Sequence, residues 1–137
     1  SRGLGDVYKR QHKYFKDRKS YSMDGEDIVI SNYFKDKKKG FYIDIGCYHP
    51  VGISNTYLLH KKGWHGVVVD IDDYKLNLFK KRRRKSVEVL KRAISSHDSE
   101  SKVQIYKFNQ PFSPYDTLSE ETAKMRQKAI NIEYTTD

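Results

Sequence analysis

Two short apolar segments, each carrying an acid near its end, interrupt an otherwise polar chain. The first covers 41–45 and includes Asp44, and the second covers 66–71 and includes Asp70. Continuous β-branched and aromatic runs of this length are typical of strands that are buried on both faces. We therefore expect two strands of one parallel sheet.

Helical patterns are expected before and after the first strand. Over 21–34, Ser and Asp signals precede Ile28 and Val29, which we expect to lie on the buried side of a short helix. After the loop that follows the first strand, Ser54 is suited to cap a helix that runs to about Lys62. A helix between two strands is the usual parallel crossover.

The same alternation continues along the chain. Asp72 or Asp73 is suited to cap a helix on which Leu76 and Phe79 lie three residues apart, and the pattern over 86–94 predicts a third strand. Strand, helix, strand, helix, strand is the order that gives a parallel sheet. The predicted fold class is α/β, with a Rossmann-like parallel sheet and flanking helices.

The remaining segments predict smaller features. Alternation over 102–108 predicts an exposed antiparallel strand, and a polar helix is expected over 119–128. Residues 1–11 show no periodicity and resemble a translated adapter or assembly scar, so the expected domain covers 12–137. The pattern just before Asp137 predicts the start of another element, which suggests a C-terminally truncated domain.

Composition adds limits to this picture. A chain of 137 residues is long enough for one domain with a real core. Its single cysteine excludes an internal disulfide framework and fits a reducing compartment. No apolar run approaches the roughly 20 residues of a membrane span, so a soluble, cytoplasmic protein is expected.

The loop after the first predicted strand is a candidate binding site, because ligands of such sheets lie beyond the carboxyl ends of the strands. A pyrophosphate needs the spacing G-x-G-x-x-G, and only Gly46 is present here. A nucleoside ligand such as S-adenosylmethionine needs one tight turn at Gly46 and an acid, Asp44, near its amino group. Ser54, Asn55 and Thr56 could supply donors to its carboxylate.

Asp70 ends the second predicted strand and has the position of an acid that accepts hydrogen bonds from ribose hydroxyls. A single acid of this kind is more often a helix cap or a solvated strand end. Because Asp44 and Asp70 end consecutive strands, and Gly46 follows the first closely, we favour the ligand interpretation.

Three stretches together resemble the FkbM-type methyltransferases: DGEDIVIS, GFYIDIGCYHPVGISNTYLLHKKGWHGVVVDI and VEVLKRAIS. The most specific part is D-I-G-x-x-x-P followed by S-N-T and G-W-x-G. The resemblance implies a class I methyltransferase fold that uses S-adenosylmethionine to O-methylate a sugar, glycan or other small metabolite. It assigns cofactor binding to Asp44, Gly46, Ser54, Asn55, Thr56, Asp70, Ala93 and Ile94, the last two beside the adenine.

The chain departs from that family in two places. Met23 stands where the family usually has Gln, and the later strand with Asp-x-Glu-Gly does not occur. We therefore expect the N-terminal part of such a domain, with its catalytic residues and its oligomeric state undefined by the sequence. Glu26 and Asp27 either cap the first helix, are solvated or face the pocket.

The basic run over 80–85 (KKRRRK) and the net charge of +9 favour a different class, a nucleic-acid binder. No aromatic residue is interleaved with the run, so a solvated helix end is the preferred interpretation. An RNA methyltransferase, a basic binding module and a non-catalytic fragment remain as alternatives. Cys47 and His49 lack the paired ligand spacing of a zinc site, so no metal is expected.

Overall fold

The structure, a computed structural model, describes residues 19–94, 103–108, 116–130 and 133–136. The chain divides into two compact units between Arg92 and Ala93. The predicted leader over 1–11 lies outside the described residues, and so does residue 102, the first residue of the predicted alternation over 102–108.

The first unit is a mixed α/β structure built on a three-stranded parallel sheet. Its strands lie in the order β1-β2-β3, and every neighbouring pair is parallel. This confirms the predicted alternation of strands and helices. In chain order its elements are α1 (Glu26–Tyr33), β1 (Phe41–Ile45), α2 (Tyr57–Lys61), β2 (His65–Asp70), α3 (Asp73–Arg83), a 3-10 turn (Arg84–Ser86) and β3 (Val87–Lys91).

The described part of the second unit contains an antiparallel pair and one helix. Strands β4 (Tyr106–Phe108) and β5 (Tyr134–Thr136) pair in antiparallel register, and α4 (Glu120–Ile130) lies between them in the chain. The antiparallel strand, the polar helix and the element at the end of the chain are therefore confirmed, with shifted bounds. The expected exposure of the antiparallel strand was wrong, because Phe108 is 3% exposed and Tyr106 and Lys107 are partly buried.

The core of the first unit lies on one face of its sheet. Tyr42, Val68 and Val89 share this face in the strand register, and the side chains of α2 and α3 pack against it. As predicted, Leu76 and Phe79 are buried, with 3% and 0% of their surface exposed. The buried cluster consists of Tyr42, Cys47, Leu59, Trp64, Val68, Leu76 and Phe79.

Two glycines allow aromatic rings to lie directly on the backbone of this core. A Cβ atom at Gly40 would lie 2.4 Å from the ring of Trp64, and one at Gly66 would lie 2.2 Å from the ring of Tyr42. Both separations are shorter than real Cβ contacts, so any larger residue forces a ring to move. These close approaches explain the glycine just before β1 and the glycine near the start of β2.

The prediction that β1 is buried on both faces was wrong. Tyr42 is buried, but Phe41, Ile43 and Ile45 alternate with it and are each about 60% exposed (61%, 63% and 60%). The reason is that α2 and α3 both pack against the Tyr42 face. On the opposite face the apolar side chains of β1 are therefore left in solvent, although Val69 of β2, which shares that face, is buried.

The first helix also differs from its prediction. It begins at Glu26 after Gly25, whose φ of +91° stops the helix from extending further back. Val29 is 69% exposed, and the residue of α1 that is completely buried is Asp27. Helical spacing alone predicted that Val29 lies on the buried side of the helix. The prediction was wrong because the acid Asp27 occupies part of that side.

Asp27 is buried because its carboxylate ties down the preceding segment. It accepts hydrogen bonds from the hydroxyls of Ser20 (2.7 Å) and Ser22 (2.8 Å), and from the backbone N–H groups of Tyr21 (2.6 Å) and Ile28 (2.9 Å). Burial alone would raise the pKa of Asp27, but these hydrogen bonds to the ionised form outweigh burial and lower it.

Candidate functional site

The carboxyl ends of β1 and β2 lie side by side. Ile45 is opposite Val69 in the parallel register, and the N–H of Gly46 continues the ladder by donating to the carbonyl of Val69 at 2.8 Å. One step further along β2 is Asp70. The two strand ends predicted to form a site are therefore neighbours in the sheet.

Gly46 makes the tight turn that follows β1. Its φ is +69°, in the left-handed region that favours glycine, and a Cβ atom placed there would meet nothing within 4 Å. The backbone at Gly46 thus borders open space, so a ligand can approach it closely. The tight turn that the sequence predicted at Gly46 is therefore present.

Asp44 lies on the helix-bearing face of β1, next to the turn at Gly46. Its Oδ2 atom accepts a hydrogen bond from the Thr56 hydroxyl at 2.5 Å, and no described residue donates to its Oδ1 atom. Burial raises the pKa of Asp44, the Thr56 hydrogen bond and the nearby charge of Arg83 oppose that rise, and the charge of Asp70 adds to it.

Asp70 folds its own carboxylate into the turn that ends β2. Its Oδ1 atom accepts from the N–H groups of Ile71 (2.8 Å) and Asp72 (3.0 Å), and the side chain is 8% exposed. Among the described residues no donor lies within hydrogen-bond distance of its Oδ2 atom. Asp44 and Asp70 therefore each have one engaged oxygen and one that remains as an acceptor.

Two side chains of the loop after Gly46 have structural roles. The Cys47 thiol is buried, and burial together with the charges of Asp70 and Asp44 raises its pKa far above the ordinary range, so it is not a nucleophile. His49 is also buried, and its Nδ1 atom accepts from the N–H groups of Val51 (3.1 Å) and Gly52 (2.8 Å). That nitrogen is committed to shaping the loop.

Arg83, the last residue of α3, is buried under the same loop with 2% of its surface exposed. Its Nη2 atom donates to the Pro50 carbonyl (2.8 Å) and the Ser54 hydroxyl (2.9 Å), and Nε donates to the same carbonyl (3.2 Å). Its Nη1 atom donates to the hydroxyls of Tyr42 (2.9 Å) and Thr56 (2.8 Å). One guanidinium therefore connects β1, the loop and the start of α2.

The loop that Arg83 holds is conformationally unusual. Tyr48 and Ile53 have φ values of +48° and +53°, a region that residues with a Cβ, and β-branched residues above all, rarely adopt. Such backbone persists only where the surroundings fix it strongly. The hydrogen bonds from Arg83 and to His49 supply that fixation.

The predicted cap at Ser54 was wrong. Helix α2 begins at Tyr57 after Thr56, and no side chain caps it. Ser54 and Thr56 are buried, with hydroxyls already bound to Arg83 and Asp44, whereas Asn55 is exposed. Thr56 already donates its single hydroxyl proton to Asp44, and both hydroxyl side chains are buried, so of the three side chains only Asn55 is exposed.

Ala93 and Ile94, the two residues expected beside an adenine, follow β3. Ala93 is partly buried and Ile94 is 58% exposed. Both belong to the second unit, and their assignment to the cofactor stays a prediction.

Sequence reasoning missed Arg83, because it lies within a run of six cations that was interpreted as solvated. That interpretation holds for the other five residues, which are exposed. A signal was present, since Arg83 lies four residues after Phe79 and seven after Leu76 and therefore shares their helix face. The helical spacing therefore indicates that Arg83 lies on the buried face of α3.

The described ranges contain no candidate membrane-spanning or metal-binding element. No helix there is long and apolar enough to cross a bilayer. No group of three or more His, Cys, Asp or Glu side chains is placed there to hold a metal ion.

No model of a known protein family, no curated protein and no solved structure matches this chain. The functional interpretation therefore depends on the geometry of the site and on the residues that form it.

Proposed function

We propose that the first unit is part of a class I, S-adenosylmethionine-dependent methyltransferase domain with a Rossmann-like sheet. The observation that carries this proposal is the edge formed by β1 and β2. There Asp44 and Asp70 each keep an accepting carboxylate oxygen, and Gly46 between them borders open space. The FkbM-type resemblance of the sequence supports the same assignment.

The residues at this edge fit a nucleoside with an amino-acid tail better than they fit a dinucleotide. A pyrophosphate needs several backbone N–H groups exposed by closely spaced glycines, and here Gly46 is followed by five larger residues before the next glycine, Gly52. Two carboxylates would repel a pyrophosphate, whereas they match an ammonium group and a pair of ribose hydroxyls. On this proposal Asp44 holds the amino group and Asp70 holds the ribose.

The bound group supplies a sulfonium methyl, which is already activated toward attack by a hydroxyl. The task of the protein is then mainly to position the reactants and to exclude water. Asp44 and Asp70 orient the donor, and the turn at Gly46 lets the backbone approach it. His49 is excluded as a base through Nδ1, because that atom accepts two backbone hydrogen bonds.

The acceptor proposed from the family resemblance is a hydroxyl of a sugar, glycan or other small metabolite. A nucleic acid is the second candidate, because Lys80, Lys81, Arg82, Arg84 and Lys85 are all exposed at the end of α3. If RNA binds there, its affinity should fall steeply with salt and with charge-removing substitutions in this run. Fluorescence anisotropy with a labelled oligonucleotide at two salt concentrations measures both effects.

Titration calorimetry with S-adenosylhomocysteine tests the cofactor assignment. Asp70→Asn keeps an oxygen for the turn at Ile71 and Asp72 but removes the acceptor Oδ2, so we expect affinity to fall about 10- to 100-fold. Asp73→Asn is the matched control, because Asp73 is an exposed acid one turn away that pairs with Lys91. Equal affinity of wild type and Asp70→Asn, or a loss as large in Asp73→Asn, would refute the assignment.

A further inference from the structure

Arg83 is a buried cation whose described hydrogen-bond acceptors are all neutral. They are the Pro50 carbonyl and the hydroxyls of Tyr42, Ser54 and Thr56. A charge removed from water needs a compensating charge nearby. The acid that meets this need is Asp44, which Arg83 reaches through the hydroxyl of Thr56.

The direction of the hydrogen bonds in this chain is fixed by chemistry. A guanidinium can only donate, so the Thr56 oxygen accepts from Nη1 of Arg83 at 2.8 Å. The single hydroxyl proton of Thr56 is then directed to Oδ2 of Asp44 at 2.5 Å. An ionised carboxylate is the form of Asp44 that accepts this proton best.

We infer that Arg83 is a positioning residue for the ligand: through Thr56 it holds Asp44 ionised and oriented, with Oδ1 available to a cationic group. This inference rests on the proposed function, because the cationic group it assigns to Asp44 is the amino group of the methyl donor. Arg83 itself contacts no reacting atom. It acts by fixing the carboxylate and the loop that surrounds the site.

The charges around Asp44 explain why the hydrogen-bond chain from Arg83 through Thr56 is needed. Burial and the neighbouring Asp70 raise the pKa of Asp44, whereas the Thr56 hydrogen bond and the charge of Arg83 lower it. Cys47 beside them is a neutral thiol, because its own pKa is raised. Without Arg83 and Thr56, burial and Asp70 act unopposed, and Asp44 takes up a proton closer to neutral pH.

The decisive variant is Thr56→Val, which has nearly the shape of threonine but no hydroxyl. Arg83→Met removes a buried charge and five hydrogen bonds at once and risks unfolding, so it is secondary. Thr56→Ser restores the hydroxyl, and Lys81→Met removes one cation from the exposed side of the same helix as a control. Thermal unfolding by circular dichroism establishes that each variant is folded.

The first readout needs no ligand. A carbon-detected NMR titration follows the carboxyl carbon of Asp44, and we expect its midpoint to lie at a higher pH in Thr56→Val than in wild type, because the hydrogen bond that favours the ionised form is lost. Thr56→Ser and Lys81→Met should titrate as wild type does. An Asp44 midpoint that is unchanged in Thr56→Val overturns the inference, because that is the result expected if Arg83 and Thr56 have a purely structural role.

The second readout is the affinity for S-adenosylhomocysteine as a function of pH. As the pH is lowered, the affinity of Thr56→Val should begin to fall at a higher pH than the affinity of wild type does. If Arg83 and Thr56 have only a structural role, the substitution lowers the affinity equally at every pH. If wild type does not bind this ligand at all, the proposed function fails and the ligand role of Arg83 fails with it. If wild type binds and the two pH profiles coincide, only the positioning role is refuted.

Discussion

The carboxylate of Asp27 fixes the segment before α1, whose Tyr21 carbonyl accepts from the N–H of Ser54 at 2.9 Å, and replacing Asp27 by asparagine should lower the free energy of unfolding. Asp27 is completely buried and accepts four hydrogen bonds. In Asp27→Asn, three of them can be kept on the remaining oxygen. The amide NH2 then faces the N–H of Tyr21, so two donors meet at a site where one hydrogen bond was only 2.6 Å long.

The expected magnitude follows from that single lost contact. A hydrogen bond to a charged acceptor contributes about 1.5–3 kcal/mol, and the relief of a buried charge offsets part of its loss, so we expect about 2 kcal/mol of destabilisation. With a urea dependence of about 2 kcal/mol per molar, the midpoint should fall by about 1 M. Trp64, the only tryptophan and 2% exposed, provides the fluorescence signal.

The dependence on pH distinguishes this mechanism from a general packing defect. The pKa of Asp27 is lowered in the folded protein, so its contribution is present above the unfolded value near 3.8 and is lost as pH falls through the folded value. The gap between wild type and Asp27→Asn should therefore be constant from pH 7 to about 5 and close below about 4. Glu26→Gln, at an exposed neighbour, is the control. A gap that is absent at pH 7, or equally large at pH 3, would contradict the reasoning.

Three further outcomes are expected. Gly66→Ala places a methyl group 2.2 Å from the Tyr42 ring and should lower the free energy of unfolding by about 1–3 kcal/mol, and an unchanged urea midpoint would refute that clash. Cys47, buried and with a raised thiol pKa, should react with a chromogenic disulfide reagent at pH 8 only after unfolding, so rapid labelling of the native protein would contradict its assigned environment. Lys91→Ala should change stability by less than about 1 kcal/mol, because its ion pair with Asp73 is more than half exposed on both sides, and a larger loss measured by urea unfolding would show an additional role.

The alternation of strands and helices was predictable because it depends on local patterns. The apolar runs that became β1 and β2, the stripe of Leu76 and Phe79, and the acid before α3 are each visible within a few residues. Asp72 caps α3 by accepting from the N–H of Tyr74 at 2.8 Å, as its residue type indicated. Because parallel strands end at the same edge of a sheet, the adjacency of the carboxyl ends of β1 and β2 was also predictable.

The polar core was not predictable in the same way. Arg83 is satisfied by acceptors on Tyr42, Ser54 and Thr56, which lie 27 to 41 residues away in the chain. Nothing in the window around a cation shows that such partners will surround it. Asp27 is held by groups only a few residues away, but three of its four donors precede α1 and do not follow helical spacing.

The exposure of β1 was missed for a related reason. An apolar run of five residues has the same appearance whether one or both faces of its sheet are covered. Which face is covered depends on where the crossover helices pack. In the described structure, both α2 and α3 pack on the face of Tyr42, and Ile43 is left in solvent.

The central claim is that the edge formed by Asp44, Gly46 and Asp70 binds the methyl donor. The most direct measurement is a titration of the isotope-labelled protein with S-adenosylhomocysteine, followed through its backbone amide NMR signals. We predict saturable shifts concentrated at 44–47 and 70–72, with small shifts in the basic run at 80–85. No shifts in a folded protein, or shifts confined to the basic run, would contradict the claim.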